Sequence, residues 1–219
     1  LQRQLSVVIF DLPGHGLSSG EQASIKDFAD YQVALKRVQD YFADELPSPR
    51  YAIAQSTGGA ILMEYLLANP QPVFAKTVLL APLVRPMGWA LISTASELLR
   101  PVKQRIRRRP SNSTTDAAFR QFVNSHDPLQ SKTVSITWLL ALKQWIKRFL
   151  LSATSGHAPL VVQGEHDSTV DWIYNINVIK RKFPHCKIAY LASARHHLAN
   201  ESEEIRKEIF QQMDQYLES

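Results

Sequence analysis

The chain has 219 residues, 45% hydrophobic and 21% charged, which suits one α/β domain with an insertion. It contains no internal repeat, no low-complexity tract and no apolar run of about 18 residues, so collagen-like, disordered and membrane-spanning classes are excluded. The net charge of +5 is local: seven bases (Arg85, Arg100, Lys103, Arg105, Arg107, Arg108 and Arg109) face one acid, Glu97, and the remainder is close to neutral. Such a patch, without a zinc finger, helix-turn-helix or RNA-binding signature, predicts no nucleic-acid partner. A single cysteine, Cys186, forms no internal disulfide and sits in no metal or redox motif, which predicts a reducing, cytoplasmic compartment. The chain opens on Leu1, with no signal peptide to read at that end, and is expected to be a processed or truncated product.

Taken in chain order, Leu5 to Phe10 is a largely apolar run with three β-branched residues, predicting a buried parallel strand. "DLPGHGLSSG" from Asp11 to Gly20 is a loop by composition. Ser24, with Asp27 three residues on, predicts a helix cap. Phe28, Tyr31, Leu35, Val38 and Phe42 recur at helical spacing until Pro47 and Pro49 break the pattern. Tyr51–Ala54 predicts a strand, Gly58–Ala68 a helix that Asn69-Pro70 ends, and Phe74–Ala81 a further strand. Alternation then stops for about 70 residues, the size of insertion that often lies over the carboxyl ends of a parallel sheet. It resumes with a strand at Pro159–Gln163, a helix over Trp172–Phe183, a strand at Lys187–Leu191 and a last helix from Asn200 to Leu217. The pattern predicts a mostly parallel sheet with helices on both faces. The expected division is 1–83 and 158–219 for the core and 84–157 for a helical insertion.

Within "YAIAQSTGGAIL", the frame A-Q-S-T-G is close to G-x-S-x-G, the strained strand-to-helix turn that projects a nucleophilic serine. Strand and helix backbones approach closely there, so small neighbours are required; Ala54 stands in the first glycine position and Gly58 and Gly59 keep the other side open. A tight turn without chemistry would also place small residues here. A hydroxyl becomes a nucleophile only when a base takes its proton, and a carboxylate should hold that base's tautomer. In this architecture the order is serine, acid, histidine. "GEHDSTVD" follows one strand and "ASARHHLANE" the next, so Ser56, Asp167 and His196 are the candidate nucleophile, acid and base. Glu165 and Asp171 are rival acids, Asp171 fitting better as the opener of the next helix. His197 and His166 are rival bases.

These residues resemble the α/β-hydrolases, and within them the monoacylglycerol lipase and bacterial lysophospholipase group. "FDLPGHGLSSG" is similar to that group's loop after its fourth strand, "AQSTGG" to its elbow, "GEHDSTVD" to its acid loop and "ARHHLANE" to its histidine loop. "HDPLQ" at 126–130 is similar to its cap. The resemblance implies a serine hydrolase acting on carboxylic esters of lipid-like alcohols (monoacylglycerol or lysophospholipid), with no cofactor and no metal. It implies that the Thr57 amide binds the oxyanion. It also implies that the family's first three strands, and the loop that supplies a second oxyanion donor, have no counterpart here. The chain is then expected to be a fragment of a longer enzyme or an impaired one. Other acyl chemistry on the same fold, as in a small-ester carboxylesterase or an aminopeptidase, and a non-catalytic hydrolase-like module remain alternatives.

In the insertion, Trp138, Leu142, Trp145 and Phe149 share one helical face, with Lys143, Lys147 and Arg148 off it. This face either buries itself on the domain or lines an acyl tunnel or lipid-facing surface. With the bases from Arg100 to Arg109, the second reading predicts peripheral contact with an anionic membrane surface, at the inner face of a membrane.

Overall fold

The computed structural model describes residues 5–108 and 112–219. The first helix is α1 (Ala29–Tyr41), followed by β1 (Arg50–Gln55), α2 (Thr57–Ala68) and β2 (Phe74–Leu80). Next come α3 (Trp89–Leu99), β3 (Arg105–Arg107), α4 (Ala117–Gln121), a π-helical turn at Phe122–His126, β4 (Thr133–Ser135) and α5 (Ile136–Leu151). The chain finishes with β5 (Leu160–Gly164), α6 (Trp172–Lys182), β6 (Lys187–Leu191), a 3-10 turn at Leu198–Asn200 and α7 (Glu203–Glu218).

The main sheet runs in the order β1-β2-β5-β6, and every pairing is parallel. Alternate side chains of a strand point to opposite faces, and the sheet divides its apolar residues accordingly. Leu79 and Val161 join α1, α2, α5 and α6 in one core, around Phe28, Tyr31, Met63, Leu142, Trp145 and Ile179. Val78, Leu80, Leu160, Val162 and Leu191 pack on the other face against Leu198 and against Ile209 and Met213 of α7. The insertion adds no strand to this sheet; its short β3 and β4 pair antiparallel with each other.

Two sequence expectations change. Residues 5–10 form no strand: Val7 and Ile9 are 72% and 89% exposed. Backbone N–H and C=O groups make a strand only when a neighbour accepts and donates in register, and among the described residues no strand lies beside this run. β1 is consequently an edge strand, its Tyr51 and Ile53 turned outward and exposed. Ser24 does not cap α1: its hydroxyl donates to Ser135, and the Asp27 carboxylate accepts from the Ala29 amide at 3.0 Å instead.

The apolar face of α5 is resolved in favour of burial. Leu142, Trp145 and Phe149 are buried and Trp138 half-buried. Trp138 Nε1 donates to the Tyr31 hydroxyl at 3.1 Å, and Trp145 stacks on Phe149 at 4.8 Å. Two of the flanking cations are paired, Lys143 with Glu97 and Arg148 with Asp27. The apolar side chains of this face are therefore covered by protein and form no exposed lipid-facing surface. The basic patch is dispersed as well. Arg85 pairs with Asp171 and Arg105 with Glu21, whereas Arg100, Lys103, Arg107 and Arg108 have no carboxylate partner among the described residues. Arg109 lies outside the described residues.

Candidate active site

Ser56 sits between the end of β1 and the start of α2 with φ 52° and ψ −113°, a region in which a non-glycine residue is strained. Its backbone is held on several sides. The Ser56 amide donates to the Leu80 carbonyl at 2.9 Å, and its own carbonyl accepts from Leu83 at 3.0 Å and Ala60 at 3.2 Å. The close approach that demands small residues is visible at Gly59, where a Cβ would lie 2.9 Å from Cβ of Pro82. At Gly58 a Cβ would meet the Ala54 methyl at 3.6 Å, an ordinary contact. Alanine at 54 therefore fits without displacement.

Asp167 and His196 come from the loops after β5 and β6, and both are buried. His196 Nδ1 lies 2.7 Å from Asp167 Oδ2, and His196 Nε2 lies 3.0 Å from Ser56 Oγ. An ionised carboxylate only accepts, so Nδ1 carries the proton and Nε2 is free to take one from the serine hydroxyl. Asp167 is oriented in turn: Oδ1 accepts from the amides of Thr169 at 2.8 Å and Val170 at 3.2 Å, and Oδ2 also accepts from Gln163 Nε2 at 3.3 Å. The Thr57 amide opens α2, where the first N–H groups have no carbonyl within the helix.

The rival residues are placed elsewhere. Glu165 and His166 are exposed. Asp171 pairs with Arg85 and accepts from the Tyr174 amide as the cap of α6. His197 lies beside His196, with 5.6 Å between ring centroids, and its Nδ1 faces Gln55 Nε2 at 3.4 Å. Burial first, then the neighbouring charges of His196 and Arg108, push His197 down to about 4, partly opposed by Asp167 and Glu201. It is neutral near pH 7, and its ring packs edge-on against Phe119 at 5.9 Å.

The sequence reading did not pick out Gln163 and Gly164. A glutamine ending the otherwise apolar strand "LVVQG" was the available signal. Gly164 is required by crowding: a Cβ there would lie 2.4 Å from the carbonyl oxygens of both Ala194 and Arg195. Only glycine lets the acid loop rest on the histidine loop.

A parallel sheet with helices on both faces and a serine on a strained turn at the sheet's carboxyl edge define an α/β-hydrolase. The family model described as "Serine aminopeptidase, S33" matches residues 1–203, and the chain belongs to that family. Among solved structures it is similar to the monoacylglycerol lipase of Paleococcus ferrophilus, with TM-score 0.79 and 15% identity over 95% of this chain and 81% of that one. It is also similar to a soluble variant of the Saccharomyces cerevisiae monoglyceride lipase in complex with a substrate analog (TM-score 0.76, 18% identity, 94% and 75% covered). A carboxyl esterase of Bacillus coagulans aligns with TM-score 0.68 and 17% identity over 95% and 78%. At these identities the likeness is one of fold. No curated protein matches the chain.

Proposed function

We propose that the protein is a cofactor-independent serine hydrolase that cleaves carboxylic esters of lipid-like alcohols, a monoacylglycerol or a lysophospholipid. The observation that carries this reading is the unbroken line from Asp167 through His196 to Ser56, with spacings of 2.7 Å and 3.0 Å. Ser56 Oγ attacks the ester carbonyl while His196 Nε2 takes its proton. The oxyanion that forms accepts from the Thr57 amide, at the positive end of α2. His196 returns the proton to the departing alcohol, leaving Ser56 acylated. Water, deprotonated by the same imidazole, then releases the acid. Asp167 holds the tautomer and stabilises the imidazolium. Lipid-like esters are favoured over smaller ones by the two lipase structures that share the fold over most of this chain. The family description and the carboxyl esterase neighbour keep peptide-terminal and small-ester substrates as the second reading.

The test is fluorophosphonate labelling with the adduct located by mass spectrometry, followed by a panel of esters of increasing acyl length and an aminoacyl substrate. Ser56→Ala should abolish labelling and turnover, about 10⁶-fold in kcat by analogy with other serine hydrolases, with unchanged thermal unfolding. Retained hydrolysis in that variant would overturn the assignment. Absence of labelling in a folded chain would favour a binding-only module.

No helix among the described residues is long and apolar enough to cross a membrane. Peripheral contact with anionic lipid belongs to the proposal, carried by α3 rather than α5. Leu91, Leu98 and Val102 are exposed beside the unpaired Arg100 and Lys103, an apolar stripe flanked by cations. Binding to anionic vesicles no tighter than to neutral ones at low salt would remove it.

A further inference from the structure

Glu201 is a buried carboxylate that the proposed chemistry leaves without a task. It lies between the 3-10 turn at Leu198–Asn200 and α7, and it is fully buried. Oε1 accepts from the Arg195 amide at 2.6 Å. Oε2 accepts from the Thr115 amide at 2.6 Å and from the Thr115 hydroxyl, and the Thr114 hydroxyl, whose proton is directed at the nearer Asn200 carbonyl, lies 3.2 Å away. No cation is paired with it among the described residues. The Arg195 guanidinium turns instead to Asn112 and to the Thr114 carbonyl. A buried carboxylate without a counter-ion is stable only when N–H and O–H donors replace its water, and here the donors come from two separate parts of the chain.

One part is the loop that carries His196, whose preceding residue is Arg195. The other is the segment 112–116, within the insertion. Further bonds join the same two parts: the His197 amide donates to the Ser113 carbonyl at 2.7 Å, the Thr114 hydroxyl to the Asn200 carbonyl at 2.6 Å, and the Ser202 amide to the Thr115 hydroxyl at 3.3 Å. Glu201 is the group in this seam that grips both sides with one planar carboxylate.

We infer that Glu201 is a positioning residue that latches the His196 loop to Thr114 and Thr115 of the insertion, so that the placement of the insertion sets the aim of the imidazole. The inference rests on the reading of His196 as the base.

A carboxylate accepts at both oxygens, whereas the amide of glutamine donates at one end. In Glu201→Gln either the Arg195 amide or the Thr115 donors face an NH₂ group. The expected result is a 10- to 100-fold fall in kcat, the scale of a misplacement of about 1 Å, with KM within about twofold of wild type. The proton that His196 Nδ1 shares with Asp167, followed by NMR in the full chain, should change its chemical shift because the ring is re-aimed. Asp167, His197, Arg195 and Arg108, the other charged or titratable groups around this loop, are unchanged in the variant. Thr115→Val, which removes one hydroxyl donor and keeps the amide and the charge, should lower kcat in the same direction by less. A kcat per fluorophosphonate-titrated site and a His196 Nδ1 proton resonance that both superimpose on wild type would overturn the latch. If Glu201→Gln does not fold, a wild-type kcat in Thr115→Val does so. If wild type hydrolyses no ester, the proposed function fails by itself, while an Nδ1 proton resonance that moves in both Glu201→Gln and Thr115→Val leaves the placement of the His196 ring by this seam standing.

Discussion

The carboxyl edge of the sheet and its β1 side are built from similar apolar strands and end up in opposite conditions. At the carboxyl edge, the loops after β5 and β6 press together at Gly164, and α2 presses on the loop after β2 at Gly59, until a methyl group at either position has no room. On the β1 side, Ile53 is 52% exposed and the apolar run at residues 5–10 forms no strand. Hydrophobic, β-branched sequence is therefore not sufficient for burial. What differs is the neighbour. Val161, between β2 and β6, is enclosed; Ile53, with a partner on one side only, is not.

The sharpest way to probe the crowded side is Asp167→Asn. It keeps the shape but lets the side chain donate to His196, turning the imidazole to the wrong tautomer. A loss of about 10⁴ in kcat is expected, measured on a soluble ester, with little change in thermal stability. Gly164→Ala adds one methyl against the Ala194 and Arg195 carbonyls. We expect about 1–3 kcal/mol of destabilisation by denaturant titration, accompanied by a fall in kcat because the acid and histidine loops are forced apart. A variant as stable and active as wild type would mean that the junction is looser than it looks.

His197 supplies a pH test of the same region. Its folded value is pushed down from 6.5 to about 4, so between these values the unfolded chain binds the proton that the folded chain refuses. Stability from this group is complete above pH 6.5 and is lost as pH falls toward 4. His197→Asn should flatten the stability profile in that window, read from chemical unfolding at a series of pH values. An unaltered slope would show that His197 is not the group responsible. The smallest effect is expected on the open side. Ile53→Lys should change stability by no more than about 0.5 kcal/mol, while lowering concentration-dependent association, because a charge blunts an edge strand. A large destabilisation would show that the β1 edge is covered in solution.

Much of the core was legible because its signals are local. "AQSTGG" names a turn by its small residues, and the order of Ser56, Asp167 and His196 points to three loops that the fold brings within hydrogen-bond distance. Asp171 was legible as a helix opener for the same reason. What stayed hidden depends on partners remote in sequence. Residues 5–10 have strand composition, and nothing in that composition reports whether a strand lies beside it. The stripe on α5 shows which side is apolar but not that Phe28 and Tyr31 cover it. Glu201 reads as one acid among several before a helix; its contacts with Thr114 and Thr115 come from 87 and 86 residues away.

The strained turn at Ser56 has a consequence for how the site could be altered. Its direction comes from the peptide groups on either side, anchored to Leu80, Leu83 and Ala60, and not from the hydroxyl. The atom at the tip of the side chain is thus a replaceable tool on a fixed mount. A thiol introduced there would inherit the same line of sight to His196, and the acyl-thioester it formed would report, by its lifetime, how well water is delivered in the second half of the reaction.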